Sequence, residues 1–149
     1  MNELLVSEIK ISYEPRVKAS ECPKVTCSQD AYEQIKQFFD PSLMNVKEEA
    51  VVLYLNCSNR IMGGFKVSSG GISCTIVDIT LILGVAVKCL ARGLVLAHTH
   101  PSGELQPSKA DLNLTARLKE AARLLDIRLI EHLILSTDGY LSFADEGLL

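Results

Sequence analysis

An α/β sandwich built around a mixed β-sheet is the fold class this sequence predicts, and three observations lead there. Short apolar runs bounded by turn residues occur before, between and after two longer helix-like segments, so strands and helices interleave. Of those segments, KADLNLTARLKEAARLLD is amphipathic and ITLILGVAVKCLA is largely apolar. The chain of 149 residues, 48% hydrophobic and 22% charged, is long enough for one domain with a real core and no staples.

The elements follow in order. LLVSEIKISYEP alternates and is closed by Pro15, which predicts an N-terminal strand. Residues 16–27 have no period and predict a loop. Ser28 predicts the N-cap of a short helix, SQDAYEQIKQFFD, that stops before Pro41. EEAVVLYLNCSNRIMGGFKVSS reads as two strands joined at CSNR, and ISCTIV as a third. Asp78 predicts a cap for the apolar helix, which is expected to be well buried and to end at Gly93. LVLAH is then a short central strand. Ser108 begins the amphipathic helix, with Leu112, Leu118, Ala122 and Leu125 on one face. IRLIEHLILS and YLSFA close the chain as two strands separated by ThrAspGly. There is no internal repeat and no low-complexity stretch.

Composition narrows the function. Net charge is −3 and Lys and Arg are spread along the chain, with no basic arm or stripe. That gives no support to a free-standing, nonspecific DNA binder. The opening MNELLVSEIKISYEP has neither the basic start nor the apolar stretch of a signal peptide. The longest apolar tract is broken by Lys88, Arg92 and two glycines, so no membrane span is expected. Five cysteines, an odd number and mostly in apolar segments, predict free buried thiols in a reducing cytoplasm. The C-x4-C spacing of Cys22 and Cys27 suits neither a zinc knuckle nor a redox pair.

The stretch LVLAHTHPSGELQPSKAD, residues 94–111, carries the chemistry. On a strand, residues i and i+2 point to one side, so His98 and His100 share a face, and Pro101 holds His100 extended. Their Cα atoms would be about 6–7 Å apart, close enough to converge on one cation. A helix starting at Ser108 would return Asp111 toward the strand end. Two nitrogens and one carboxylate leave a fourth tetrahedral position open, the pattern of a catalytic zinc. A plainer reading is that SerLysAlaAsp is a capping box. It accounts for Ser108 and Asp111 but not for two imidazoles at a strand exit.

HTHPSGELQPSKAD resembles the JAMM (MPN-plus) metalloprotease signature H-x-H-x7-S-x2-D. More narrowly it resembles the RadC-like branch, which reads HNHPSG and then PS-x2-D. VVLYLNCSNRIMG, SSGGISCTIVD and LIEHLILSTDGYLSFADEGLL resemble other segments of that family, so the likeness covers roughly residues 30–149. Residues 1–27, a strand and loop, complete a single domain. The resemblance implies a three-layer α/β/α sandwich of the cytidine-deaminase-like (JAMM/MPN) kind. It implies Zn²⁺ on His98, His100 and Asp111, with Glu48 as the general base and Ser108 stabilising an oxyanion. The implied reaction is hydrolysis of peptide or isopeptide amide bonds in a protein or peptide substrate. Aligning LeuTyrLeuAsn at 53–56 selects Glu48 over Glu49, and a one-residue slip would turn the side chain to the other face. Ser108 is asked both to cap the helix and to face the metal.

Thr99 stands where the RadC-like pattern has Asn and should face away from the metal. Glu131 stands where the family more often has Asp, and His132 is expected to be a core or supporting histidine rather than a ligand. No helix-hairpin-helix module precedes the domain, so DNA repair gains little, though family association leaves a nucleic-acid partner open. A metal-containing scaffold without turnover is the alternative function. A zinc nucleotide deaminase would need H-x-E and Pro-Cys-x2-Cys, which are absent. The oligomeric state is not readable from the sequence.

Overall fold

The apolar run at 49–55 forms β1 (Glu49–Leu55), buried at every position, and the segment after CSNR returns antiparallel as β2 (Ile61–Ser69). Asn56 Oδ1 accepts from the backbone N–H groups of Ser58 and Arg60, and Asn59 takes φ 58°, so the turn closes on asparagine chemistry. The computed structural model describes residues 5–10, 12–70 and 77–149. Its further elements are α1 (Ser28–Ile35), α2 (Ile79–Cys89), β3 (Gly93–Thr99), α3 (Lys109–Arg123), β4 (Arg128–Ser136) and β5 (Gly139–Ser142).

The sheet order is β2-β1-β3-β4-β5. The β3–β4 pair is parallel and the other pairs are antiparallel, because α3 supplies the crossover that a parallel pair needs. One face of the sheet packs Val52, Tyr54, Leu94 and Leu96 against Ile82 and Ala86 of α2 and Leu118 and Ala122 of α3. The other packs Val51, Leu53, Val95, Leu133 and Leu135 against Ala31 and Ile35 of α1. The architecture is therefore a three-layer α/β/α sandwich around a mixed sheet. Central β3 is buried throughout, as LVLAH predicts.

Several expectations are corrected. No strand forms among described residues 5–10 and 12–14. Leu5, Val6 and Ile9 stand exposed there, so the alternation finds no partner ladder. Most of ISCTIV, residues 72–76, lies outside the described residues. Ser28 is the first residue of α1 rather than its cap. Cys27 is the N-cap, Asp30 accepts from the Thr26 N–H, and Ser28 Oγ donates to Asp145. Asp78 does cap α2, accepting from Thr80 and Leu81 N–H.

Helix α2 is less buried than its apolar sequence predicts, since only Ile82 and Ala86 are fully enclosed while Leu81 and Val87 are exposed. Its end is made by Leu90 in the left-handed region, φ 57°, not by Gly93. Gly93 opens β3, where a Cβ would lie 2.5 Å from Ile130 Cδ1, so glycine is there for space. On α3 the buried face is Thr115, Leu118 and Ala122, whereas Leu112 and Leu125 are exposed. Cys22, Cys27, Cys57 and Cys89 are free, but none is buried. Among the described residues no helix is long and apolar enough to cross a membrane.

Candidate metal centre

Strand β3 ends at Thr99, but the His100 N–H still donates to Leu135 O at 2.9 Å, so the extended path continues one residue further. His98 and His100 therefore leave the sheet on the α2/α3 side. The HPSG turn then closes through Gly103 N–H to His100 O at 3.0 Å, with Gly103 at φ 82°, where a side chain would be strained. That turn carries the Glu104 carbonyl back to His100 Nδ1 at 2.8 Å. A carbonyl only accepts, so Nδ1 carries the proton and Nε2 offers its lone pair.

Asp111 reaches the same point from α3. The predicted capping box is complete: Ser108 Oγ accepts from Asp111 N–H at 3.1 Å and Asp111 Oδ2 accepts from Ser108 N–H at 2.8 Å. The same carboxylate lies 3.2 Å from His98 Nε2 and 3.2 Å from His100 Nε2. The two Nε2 atoms are 2.9 Å apart. One ligand atom from each residue falls within 4.8 Å of the others. Metal bonds of about 2.0–2.1 Å would set tetrahedral neighbours about 3.3 Å apart. Two nitrogen lone pairs this close call for a cation or a proton between them, so the donor set fits a divalent ion. The capping box is observed, and its geometry leaves the same aspartate able to serve as a metal ligand.

Glu48 lines a cavity of about 120 Å³ with Val77, His98, Ala110, Asp111 and Leu114. Glu49 points elsewhere: it is buried, and Lys66 Nζ donates to its Oε2 at 2.7 Å. Thr99 turns away from the histidines, as expected. Its hydroxyl accepts from Glu49 N–H at 3.0 Å and donates to Lys47 O at 3.3 Å. Those bonds grip the backbone on both sides of Glu48. Ser108 is exposed at the start of α3. Capping occupies a lone pair of its oxygen and leaves the O–H free to donate, so the two roles asked of it are compatible.

Thr115 is the residue that sequence reasoning missed. It sits one helical turn after Asp111, on the same face, and Thr115 Oγ1 is 2.6 Å from His132 Nδ1. A polar residue at that spacing, interrupting the apolar face, was the available signal. His132 is fully buried, lies 2.8 Å from His98 Nδ1 and stacks on Phe143. It reaches this side because β4 carries an extra residue. Leu94 pairs with Leu129, but Val95 pairs with Glu131, so the alternation shifts by one. Glu131 faces the other way and accepts from Ser142 Oγ and Ala144 N–H.

A family model described as "RadC-like JAB domain" matches residues 25–148. The chain belongs to that family. This RadC-like JAB domain is 45% identical to a UPF0758 protein of Porphyromonas gingivalis over 138 residues, 90% of this chain and 60% of that one. It is 43% identical to a UPF0758 protein of Flavobacterium johnsoniae over 125 residues, 84% of this chain and 53% of the relative. UPF0758 protein YeeS of Escherichia coli matches at 45% over 103 residues, 69% of this chain and 70% of its own length. The chain thus spans a little over half the length of the first two relatives.

Charge at the site follows from these contacts. Burial works against the Asp111 carboxylate, but the His100 and His98 rings beside it outweigh that and hold the group far below the usual carboxylate range. The Asp111 carboxylate, which the doubly protonated ring can donate to, raises His100 above the ordinary imidazole value, against some desolvation. Burial, with His98 adding to it, pushes His132 well down. The signs give a testable profile for the ion-free domain. The raised His100 contributes stability that is complete below the ordinary imidazole value and fades as pH rises through its folded pKa. The depressed His132 removes stability as pH falls below that same ordinary value, because only the unfolded chain then takes the proton. Melts in chelator should peak at about pH 6.5 and fall on both sides. A temperature of melting that keeps rising across neutral pH would contradict this assignment.

Proposed function

We propose that this RadC-like JAB domain is a Zn²⁺-dependent hydrolase of peptide or isopeptide amide bonds, acting on a protein or peptide substrate in the cytoplasm. The observation that carries the reading is the convergence of His98, His100 and Asp111 beside a cavity that Glu48 also lines. His98 Nε2, His100 Nε2 and a carboxylate oxygen of Asp111 would hold the ion. Zn²⁺ held there would supply Lewis acidity, which lowers the pKa of a water toward neutral pH. Glu48 holds the proton released by the attacking water and delivers it to the leaving amine, a general acid–base role. The Ser108 O–H donates to the carbonyl oxygen as negative charge develops on it. Thr99 keeps the peptide around Glu48 fixed through Lys47 O and Glu49 N–H, the preorganisation that such proton transfer needs.

The test is elemental analysis and reloading of purified protein, with a panel of quenched fluorescent peptides and lysine-linked isopeptides. Wild type is expected to hold near-stoichiometric zinc and to cleave within the panel, with chelator and His100→Ala removing both. Failure to bind zinc after reloading would end the catalytic reading. Zinc held at full stoichiometry with nothing cleaved would favour the metal-containing scaffold instead.

A further inference from the structure

Beneath the ligand face, four residues form a closed relay. His98 Nδ1 lies 2.8 Å from His132 Nε2, His132 Nδ1 lies 2.6 Å from Thr115 Oγ1, and the Thr115 hydroxyl donates to Asp111 O at 2.8 Å. The chain starts on one candidate ligand and ends on the backbone of another. Its three side-chain links run through enclosed residues, with His132 0%, Thr115 2% and His98 5% exposed. None of its three links uses a carboxylate oxygen, since the last ends on the Asp111 backbone carbonyl.

Each link carries one proton, and a neutral imidazole has one N–H to give. Two orders satisfy the heavy-atom distances. In the outward order, His98 Nδ1–H donates to His132 Nε2, His132 Nδ1–H donates to Thr115 Oγ1, and the hydroxyl donates to Asp111 O. In the inward order the hydroxyl donates to His132 Nδ1, His132 Nε2–H donates to His98 Nδ1, and the remaining His98 proton sits on Nε2. Only the outward order leaves the His98 Nε2 lone pair facing His100 and Asp111. With no cation bound, the Asp111 carboxylate 3.2 Å from His98 Nε2 draws a proton toward that nitrogen, and the last link works the other way. A carbonyl can only accept, and Thr115 has its oxygen within hydrogen-bonding distance of one, so its proton has a place to go on the side away from His132.

We propose that His132 and Thr115 are positioning residues that hold His98 in its Nδ1–H tautomer, keeping Nε2 ready for a cation and setting the affinity of the site. His100 reaches the same tautomer separately, through Glu104 O. A partner on the far nitrogen of a ligating histidine is worth about 10–100-fold in metal affinity. The relay rests on the cation reading of His98, His100 and Asp111 but not on hydrolysis.

The test uses the full chain in two measurements. The first is a long-range ¹H–¹⁵N correlation spectrum of the metal-free protein, which distinguishes protonated from unprotonated ring nitrogens. The second is Zn²⁺ competition against a chromogenic chelator at one fixed neutral pH. Thr115→Val keeps the shape but removes the hydroxyl. His132→Phe keeps a ring stacked on Phe143 but removes both nitrogens. Both should weaken zinc by about 10–100-fold, and Thr115→Val should move the His98 proton off Nδ1. Thr115→Ser restores the hydroxyl, and His132→Gln offers an amide oxygen to His98 Nδ1–H, so both should return close to wild type. They also separate loss of the relay from loss of the fold. Unchanged affinity and an unchanged His98 spectrum in Thr115→Val overturn the relay while leaving the metal reading intact. Wild type that binds no zinc sinks the metal reading, and the spectrum of the metal-free protein still decides the tautomer.

Discussion

Glu48→Gln is expected to keep zinc at wild-type stoichiometry and to lower amide hydrolysis by about 10²–10⁴-fold, the usual worth of a positioned general base. The substituted amide would still line the cavity with His98 and Asp111, but it could not accept and pass on a proton. Glu49→Gln is the matched control, because the two neighbours do different things. The Glu49 carboxylate is buried and takes its charge partner from Lys66, whose side chain is 42% exposed. Losing that charge should cost roughly 1 kcal/mol of stability, since a half-exposed lysine is well screened. Hydrolysis should then stay within about tenfold of wild type. Urea melts and initial rates on the same preparations separate the effects. Abolished turnover in Glu49→Gln with normal turnover in Glu48→Gln would mean that the strand register has been assigned to the wrong glutamate.

The parts legible in the sequence were those where one local pattern dictates one geometry. SerLysAlaAsp predicts a capping box from side-chain reach alone, and both reciprocal bonds are present. His98 and His100 share a face because the strand period is two, and Pro101 keeps the second one extended. The N-terminal run failed for the complementary reason. Alternation specifies a strand only when an edge is available to receive it, and Leu5, Val6 and Ile9 have found none.

Helix α2 shows a second limit. Its composition predicts burial all round, yet the sheet and its neighbours cover one stripe through Ile82 and Ala86. The arrival of His132 beside His98 was illegible for a different reason. It depends on one extra residue in β4 relative to β3, a relation between two strands that no single segment encodes. Thr115 was masked by its setting, a small polar residue in an apolar stripe, until Asp111 one turn earlier gave it meaning.

Asp111 should show the largest combined effect, because one carboxylate closes the capping box and is a candidate ligand. Asp111→Asn keeps an oxygen that can accept from Ser108 N–H, so the metal-free fold should lose little through the cap. Its zinc affinity should nonetheless fall more than about 100-fold, beyond the loss expected for a merely supporting partner. Asp111→Ala loses the anionic ligand and the reciprocal bond to Ser108 N–H together, while Ser108 Oγ keeps the backbone N–H of residue 111. It should fall as far in zinc affinity and lose about 1 kcal/mol more stability in chelator, the worth of the one hydrogen bond from Ser108 N–H. Both substitutions also remove the charge that raises His100, so the stability maximum of the ion-free protein near the ordinary imidazole value should flatten on its alkaline side. Competition titrations read the ligand role, and melts in chelator across pH read the cap and the ion pair. If Asp111→Asn bound zinc like wild type, the carboxylate would serve the capping box alone, and the two histidines would need another third donor.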